Sequence, residues 1–307
     1  MKTLNRFKKS CENFSGKILV ACSGGSDSLA LADLFCESEF EIGIAHFDHK
    51  IRGEESRADA EFVEKFAADR NLKFFLGSAD IVNEAKKNQR SHRSIETTAR
   101  EFRYRFLFET REKFGFDLIA TAHHLDDQAE TILMNLIRGT GIEGLIGIRE
   151  RDGFLIRPLL GFTKLELENY CRNRNLQPRH DSTNDLPTTT RNRIRHEILP
   201  MLKEFNPNIV AALNRLSQIA SSDRDFLKIQ AERFFTLKRK NFLNQHVSIQ
   251  REILRIWFER LDLKNVSFDQ IESVRELIQK NRGHSSIDLP GGRIFVENGE
   301  LKFMRRG

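Results

Sequence analysis

The chain has 307 residues, of which 39% are hydrophobic and 31% charged, and this length and composition predict two globular domains and exclude wholesale disorder. No run approaches the roughly 20 apolar residues that a membrane span needs. The basic segment 1–15 has no apolar stretch, so no secretory signal is expected. The four cysteines form no CxxC pair, which argues against a zinc knuckle or a disulfide scaffold and predicts a reducing, cytoplasmic location.

The charge is unevenly divided along the chain, whose formal net charge is +6. Residues 1–150 hold 22 Lys and Arg against 25 Asp and Glu, a net charge of −3, whereas residues 151–307 hold 28 against 19, a net charge of +9. This asymmetry predicts that the second half meets a polyanion. A basic surface that is merely solvated is the alternative that charge alone leaves open.

Strand-like and helix-like segments alternate through the first half of the chain. The apolar, β-branched runs predict strands over residues 17–22, 42–47, 73–76, 118–122 and 155–159. Helical spacing of apolar residues predicts helices over residues 26–35, 57–70, 95–113 (capped by Ser94) and 126–138. This alternation predicts an α/β fold with a mainly parallel sheet and helices on both faces. Ligands of such sheets bind beyond the carboxyl ends of the strands.

The pattern changes after Pro207. Helices are predicted over residues 210–235 and 247–261, and a third opens at Ser267, where Gln270 is placed for a capping box. The tail has short alternating runs, and Asn298-Gly299 predicts a hairpin. We therefore predict an α/β domain over residues 1–208 and a helical linker with a smaller α+β domain over residues 209–307.

The clearest local motif is Ser23-Gly24-Gly25-Ser26-Asp27-Ser28, between a predicted strand and helix. Its glycines allow close approach of the backbone to a ligand, and the amides at the helix start form an anion site. A carboxylate beside phosphates makes sense if Asp27 holds a cation such as Mg²⁺ that bridges to them. The motif is neither a Walker loop nor a GxGxxG fingerprint. A simple Gly-Ser turn before a helix cap is the alternative.

Two histidines and two acids, His123-His124 and Asp126-Asp127, follow the predicted strand 118–122. A zinc site is disfavoured because adjacent histidines do not face one point on a helix and no third ligand is placed. A strand end with hydrogen-bonded histidines is the plainer alternative, but it does not explain this concentration of polar groups where parallel sheets bind ligands.

Arginines form two further groups in the sequence. Arg100 and Arg103 are three residues apart and share a helix face, whereas Arg105 points elsewhere. They are typical of a phosphate clamp or of a solvated helix face. The arginines of segment 191–195, with Arg179, suit a phosphate-binding patch or a helix cap.

The hexapeptide resembles the SGGxDS motif of the PP-loop ATP pyrophosphatases, whose fold is HUP-like and Rossmann-like. Four other stretches resemble motifs of one branch, the tRNA(Ile)-lysidine synthases. These stretches are 45–56 (HxDHxxR…S), 95–104 (E…AR..RY), 120–141 (ATAHHxxDxxET…RGxG) and 181–184 with 191–196 (DxTN…RNxxRH). The resemblance is dense over residues 17–205 and weaker in the tail. Longer members of the family carry a further C-terminal domain.

This resemblance implies an ATP-dependent ligase. ATP and Mg²⁺ would adenylylate the wobble cytidine of tRNA(Ile) with anticodon CAU and release pyrophosphate. Free L-lysine would then displace AMP at carbon 2 of the base, leaving lysidine. The tRNA would be gripped largely by the basic second half. A membrane partner is not expected, and the oligomeric state stays open, with a homodimer among the alternatives.

The resemblance also implies roles for individual residues. Asp27 would orient Mg²⁺, Arg103 would stabilise charge at the α-phosphate or on the cytidine, and Asp127 would engage the cytidine or the lysine amine. A carboxylate or His123 would accept the amine's proton. The implied sites are catalytic (Asp27, Arg103, Asp127), ATP-binding (Ser23, Gly24, Gly25, Ser26, Asp27, Ser28), substrate-contacting (His46, Asp48, Arg100, His123, Arg138, Gly139) and tRNA-binding (Arg179, Asn184, Arg191, Asn192, Arg195).

Three other functions stay open at this point. A PP-loop tRNA thiolase adenylylates a base in the same way, but its usual persulfide or cluster cysteines are disfavoured by four isolated cysteines. A small-molecule ligase of the NAD- or GMP-synthetase type would not need the basic tail. A non-catalytic RNA-binding protein would leave the glycine-rich loop and Asp27 unexplained.

Overall fold

Six strands form a sheet at the centre of the first part of the chain. In the computed structural model, which describes residues 2–51, 53–87, 94–179, 189–263, 266–280 and 285–305, these strands are β1 (Ile18–Ala21), β2 (Ile42–Asp48), β3 (Lys73–Ser78), β4 (Leu118–Ala120), β5 (Arg151–Asp152) and β6 (Leu155–Ile156). Their order is β3-β2-β1-β4-β6-β5, and every pair is parallel except β5 with β6. The predicted mainly parallel sheet is confirmed.

Helices connect and cover these strands. They are α1 (Lys2–Ser10), α2 (Ser26–Cys36), α3 (Glu54–Ala68), α4 (Ile81–Lys87), α5 (Ile95–Phe114), α6 (Leu125–Ile137), α7 (Ile142–Ile146), α8 (Lys164–Asn173), α9 (Thr190–Arg193) and α10 (Leu199–Phe205), with a π-helical turn over Ile194–Ile198. Helix α11 (Ile209–Arg233) follows, and then α12 (Arg239–Leu243), α13 (Val247–Arg260) and α14 (Phe268–Lys280). Within the described ranges, no helix combines the length and apolarity needed to cross a membrane.

Successive side chains of β1 point to opposite faces of the sheet and pack into two cores. Ile18 and Val20 belong to the larger core, with residues of α1, α2, α3 and α8, whereas Leu19 belongs to a second core with Leu107 of α5. All three β1 residues are fully buried, as expected for a central parallel strand. Because β2 lies on one side of β1 and β4 on the other, the chain reverses direction across the sheet here, and ligands bind at such switch points.

The chain forms two compact units, Met1–Ser217 and Gln218–Gly307, and the division falls within α11, whereas the sequence pattern places the domain boundary after Asn208. In the second unit, strands β7 (Ser286–Leu289), β8 (Gly292–Glu297) and β9 (Glu300–Arg305) form an antiparallel sheet. This sheet and α13 and α14 enclose a core around Trp257 and Phe258, so the predicted smaller α+β module is confirmed.

Several local predictions are confirmed by hydrogen bonds. Ser94 caps α5 by accepting a bond from Thr97 N–H at 3.1 Å. Ser267 and Gln270 form the reciprocal bonds of a capping box, at 2.8 and 3.2 Å. Asn298-Gly299 turns β8 into β9 with positive φ at both residues, as a type I′ hairpin requires.

Some strand ends differ from the prediction: β2 and β3 extend one and two residues further than predicted, whereas β4 and β6 end earlier. β4 stops at Ala120 and not at residue 122, and β6 covers only Leu155–Ile156. The chain leaves β4 because His124 adopts the N-cap position of α6, where it and Asp127 exchange reciprocal bonds. Polar residues predicted at a strand end therefore lie at a helix start, directly above the sheet.

Buried Asp33 ties α2 to α8. Its side chain, 1% exposed, accepts hydrogen bonds from Tyr170 (2.8 Å) and from Arg70 and Arg174 (3.0 Å each). Arg174 also pairs with Glu37 at the end of α2. A buried carboxylate with three donors is satisfied, whereas the same donors without it would lose their acceptor.

We expect Asp33→Ala to lower the free energy of unfolding by about 3 kcal/mol, because it removes one partner of a buried ion-pair network. Urea denaturation measures this change. Asp69→Ala, at an exposed position after α3, is the matched control and should stay within about 0.5 kcal/mol of the unmodified protein. Equal effects of the two substitutions would show that the network contributes no special stability.

Candidate active site

The loop between β1 and α2 is braced by one of its own serines. Ser28 Oγ accepts a hydrogen bond from Ser23 N–H (3.1 Å) and donates one to the Gly25 carbonyl (3.0 Å). Gly24 has φ +91°, in the region that glycine tolerates best. Since the N-cap of α2 is Gly25, no side chain caps the first amides of this helix. The loop therefore presents backbone donors at a helix start, where anions bind.

Three carboxylates surround His124 above the end of β4. His124 Nε2 lies 3.6 Å from the Asp27 carboxylate and 3.5 Å from that of Asp127, and Nδ1 lies 3.8 Å from Asp126. Burial alone would lower the pKa of His124, but these carboxylates outweigh it and raise the pKa. The structure thus brings together Asp27 and Asp127, which the sequence places about a hundred residues apart.

Asp27 interacts with two basic side chains. Lys164 Nζ lies 2.7 and 2.9 Å from its carboxylate oxygens and 2.8 Å from Ser26 Oγ. Burial acts to raise the pKa of Asp27, yet His124 and Lys164 together bring it below the ordinary value. The carboxylate is therefore ionised at neutral pH.

Asp27 can serve as the protein ligand of a nucleotide-bound Mg²⁺. In the part of the chain that the structure describes, no three His, Cys, Asp or Glu side chains are arranged to hold a metal ion by themselves. Mg²⁺ commonly takes one or two carboxylates and completes its shell with substrate phosphates and water. Ionised Asp27, at the start of an anion-binding helix, fits that role.

Two arginines of the predicted tRNA-binding patch turn toward acids of α6. Arg191 Nε lies 2.8 Å and Arg195 Nε 2.6 Å from the carboxylate of Glu130, which is 1% exposed. The same guanidinium groups approach Asp127 at 3.8 and 3.5 Å. Burial raises the pKa of Asp127, but His124, His123 and Arg191 lower it below its usual value. In this structure both arginines face the acid cluster, the name used here for the carboxylates of Asp27, Asp126, Asp127 and Glu130.

Several positively charged side chains lie near His123. Burial lowers the pKa of His123 to about 3; Arg157, Arg103 and Arg100 act in the same direction, and Asp127 opposes them. The ring is therefore neutral and a weak base, which disfavours the proton-acceptor role that the sequence left open for it. Its Nδ1 lies 2.9 Å from the Thr121 hydroxyl.

Arg103 lacks a carboxylate partner among the described residues. Its guanidinium lies 5.4 Å from the Tyr104 ring centre, and Arg100 lies 4.8 Å from the same centre and 3.3 Å from the Tyr104 hydroxyl. Burial lowers the pKa of Arg103. Arg105 is exposed and stacks on Phe102. A half-buried guanidinium without an acid favours a bound anion.

The remaining predicted substrate contacts are spread more widely. His46 Nδ1 is hydrogen-bonded to the Cys22 carbonyl at 2.9 Å, and Asp48 accepts a bond from Lys50 N–H at 2.7 Å. Arg138 and Gly139 are exposed at the far end of α6, roughly 20 Å from its start. The structure does not bring Arg138 and Gly139 to the acid cluster.

The remaining predicted tRNA contacts support local structure or are not described. Arg179 donates its N–H to the Gly24 carbonyl at 3.0 Å, and its side chain pairs with Asp59, so it braces the glycine-rich loop. Asn192 donates its N–H to Thr189 Oγ1 at 3.2 Å, at the start of α9. Asn184 lies outside the described residues.

Sequence reasoning missed three residues of this site. Glu130 is one helical turn from Asp127, so its spacing is a signal that could have revealed it. Arg157 follows β6, and its position beyond a strand end is a weaker signal of the same kind. Lys164 contacts Asp27 although 137 residues separate the two in the sequence, and no local pattern predicts that contact.

Family models match both parts of the sequence. A family model described as PP-loop domain matches residues 1–202, and one described as TilS substrate binding domain matches residues 237–301. Two curated tRNA(Ile)-lysidine synthases, from Clostridium perfringens and Clostridium acetobutylicum, are each 37% identical to this chain over 306 and 313 residues. These alignments cover 93% and 96% of this chain.

The chain spans 64% and 67% of the length of these two relatives. Among solved structures, a U34-tRNA thiolase from Methanococcus maripaludis with a 4Fe-4S cluster superimposes with a TM-score of 0.57 and 19% identity, over 72% of this chain and 78% of that one. This likeness concerns the fold alone. The sequence relationships go further, and the chain belongs to the tRNA(Ile)-lysidine synthase family of PP-loop proteins.

Proposed function

We propose that this protein uses ATP to attach free L-lysine to carbon 2 of the wobble cytidine of tRNA(Ile) with anticodon CAU. The proposal rests on three features that lie together beyond the ends of β1 and β4. They are an uncapped helix start in a glycine-rich loop, the ionised carboxylate of Asp27, and the Arg103 guanidinium that lacks an acid partner among the described residues. Together they suit a nucleoside triphosphate that is attacked at phosphorus.

In the first step, the 2-oxo group of the cytidine attacks the α-phosphorus of ATP, and pyrophosphate leaves. The loop amides and the α2 start would hold the departing pyrophosphate. Mg²⁺, when bound, would neutralise phosphate charge beside Asp27. Arg103 would stabilise negative charge that develops at the α-phosphate, since charge stabilisation and positioning dominate phosphoryl transfer.

In the second step, the ε-amine of lysine forms a bond to carbon 2 of the adenylylated base, and the bond from carbon 2 to the AMP oxygen breaks. The amine must be neutral to attack, so a proton has to leave it. Asp127 is ionised and lies inside the cluster, so we assign its carboxylate as the acceptor of this proton. Asp127 would also orient the ammonium before it loses the proton.

The second unit would bind the tRNA, because the family model for a substrate binding domain matches residues 237–301 there. Of the basic triplet at 238–240, Lys238 and Lys240 are exposed, whereas Arg239 donates to the carbonyls of Ile278 and Gln279 at 2.9 Å each. Arg239 thus caps the end of α14. The two lysines remain candidates for phosphate contacts.

The thiolase alternative is disfavoured by the state of the cysteines. Burial raises the pKa of Cys11 and Cys171 to about 12 and that of Cys36 to about 11, and it also raises the pKa of Cys22. A thiolate is the nucleophile in sulfur transfer, and buried thiols are inert.

We expect Asp27→Asn to abolish pyrophosphate release, since the amide cannot neutralise or hold a cation beside the phosphates. Release of pyrophosphate from ATP that depends on tRNA, at saturating Mg²⁺ and with lysine present to allow turnover, measures this. Asp152→Asn, at an exposed site on β5, is the control and should retain full activity. Normal lysidine formation by folded Asp27→Asn protein would refute the loop assignment.

Arg103→Ala should slow the chemical step by a few hundredfold, or ~3 kcal/mol, because a charged donor to the transition state is removed. Single-turnover kinetics at saturating tRNA separate this effect from binding. Arg105→Ala, on the same helix but exposed, should keep the normal rate. An unchanged rate with weaker tRNA binding would make Arg103 a tRNA contact only.

Replacing both Lys238 and Lys240 by alanine should weaken tRNA binding and flatten its salt dependence. The slope of log affinity against log salt should fall by nearly one unit for each phosphate that a lysine no longer neutralises. Lys280→Ala is the control, since Lys280 pairs with Glu276 at 2.7 Å on α14. If the double variant keeps the normal slope, these lysines belong to a solvated surface.

A further inference from the structure

Lys164, the first residue of α8, extends its ammonium group into the glycine-rich loop, where it contacts Asp27 and Ser26. We propose that Lys164 is a ligand of the β- and γ-phosphates of ATP, and that Asp27 holds its ammonium until the nucleotide binds. The inference rests on the proposed function, because it assigns a residue to the same ATP site. It adds an exchange of partners: Mg²⁺ replaces the ammonium on Asp27, and the ammonium moves to the pyrophosphate.

The charge balance of the site supports the exchange. Asp27 is the acid within ion-pair distance of Lys164 among the described residues, at 2.7 Å. If Asp27 takes Mg²⁺, Lys164 loses that counter-charge. Lys164 also begins a helix, where the aligned peptide dipoles disfavour a cation. Phosphates bound beside Ser26 would supply the anion that the ammonium then lacks.

The backbone at Lys164 is fixed while its head group is accessible. Its N–H donates to Asp126 at 2.9 Å, which joins the start of α8 to the start of α6. Thr163 caps α8 in a reciprocal pair with Glu166, and Arg6 pairs with Glu166 at 2.6 Å. The Lys164 side chain is 40% exposed, against 25% for Asp27. A flexible lysine stem on a fixed helix start can therefore move its ammonium by a few ångströms without moving the fold.

A purely structural salt bridge is the competing account. The loop itself holds the terminal phosphates in the proposed function, so a change in its shape would also weaken ATP binding more than AMP binding. The partner of the bridge, Asp27, separates the two accounts in calorimetry without Mg²⁺. If the bridge only shapes the loop, Asp27→Asn and Lys164→Met should weaken ATP binding alike, and that result would overturn the inference. If Lys164 is a phosphate ligand, Asp27→Asn should leave ATP binding unchanged or stronger, because it frees the ammonium and removes a negative charge beside the phosphates.

The test is isothermal titration calorimetry of the full chain with AMP, ADP and ATP in the presence of Mg²⁺. Lys164→Met should weaken ATP binding by about tenfold to a hundredfold, the range expected for one hydrogen bond to a charged group. AMP binding should change less than about twofold in the same variant. Lys164→Arg should keep part of the ATP affinity, because it keeps the charge. Lys17→Met is the control, since Lys17 forms an exposed pair with Glu41 at 2.8 Å.

Urea denaturation of each variant shows whether it is folded. Equal weakening of AMP and ATP by Lys164→Met, or no weakening of either, overturns the inference while the proposed function stands. If the unmodified protein binds no ATP, the proposed function fails and the inference fails with it. If ATP binds with the expected dependence on Lys164 but no lysidine forms, the inference holds and only the proposed reaction is wrong.

Discussion

Charge balance above β1 and β4 is the constraint on which the rest of the structure depends. Asp27, Asp126 and Asp127 lie close around one imidazole, and cations nearby have to offset the mutual repulsion of the three carboxylates. Distant segments provide these cations: Lys164 from the start of α8, and the arginines from α9 and the π-helical turn after it. Connections that bring these segments over the strand ends therefore also prepare fixed charges before any substrate arrives.

The elements that rest on local chemistry could be predicted from the sequence. The Ser94 cap, the capping box at Ser267 and the hairpin at Asn298-Gly299 each depend on residues within four positions of one another. The glycine-rich loop and the clustering of Asp27 with Asp127 follow from the parallel sheet, which collects strand ends at one edge. Lys164 could not be predicted, because its contact depends on how α8 packs on α2. For the same reason the sequence alone did not predict that Arg191 and Arg195 face acids.

The fold and the chemistry separate clearly in this protein. A thiolase that carries a 4Fe-4S cluster shares the architecture at 19% identity, and the architecture alone does not decide a reaction. Side chains beyond the strand ends have to decide it. In this protein burial raises the pKa of the Cys22 and Cys171 thiols, and the ionised carboxylate of Asp127 lies at the start of α6.

Helices α2 and α8 run side by side in the same direction and are joined by three pairs of side chains. Asp27 meets Lys164, Asp33 meets Tyr170 and Glu37 meets Arg174, and each pair is separated by 137 residues along the chain. A constant offset means that the two helices keep the same phase over their whole length. Inserting or deleting one residue in either helix would rotate the following residues of that helix by roughly 100° and break the later side-chain pairs. Length variation among relatives should thus be absent inside both helices.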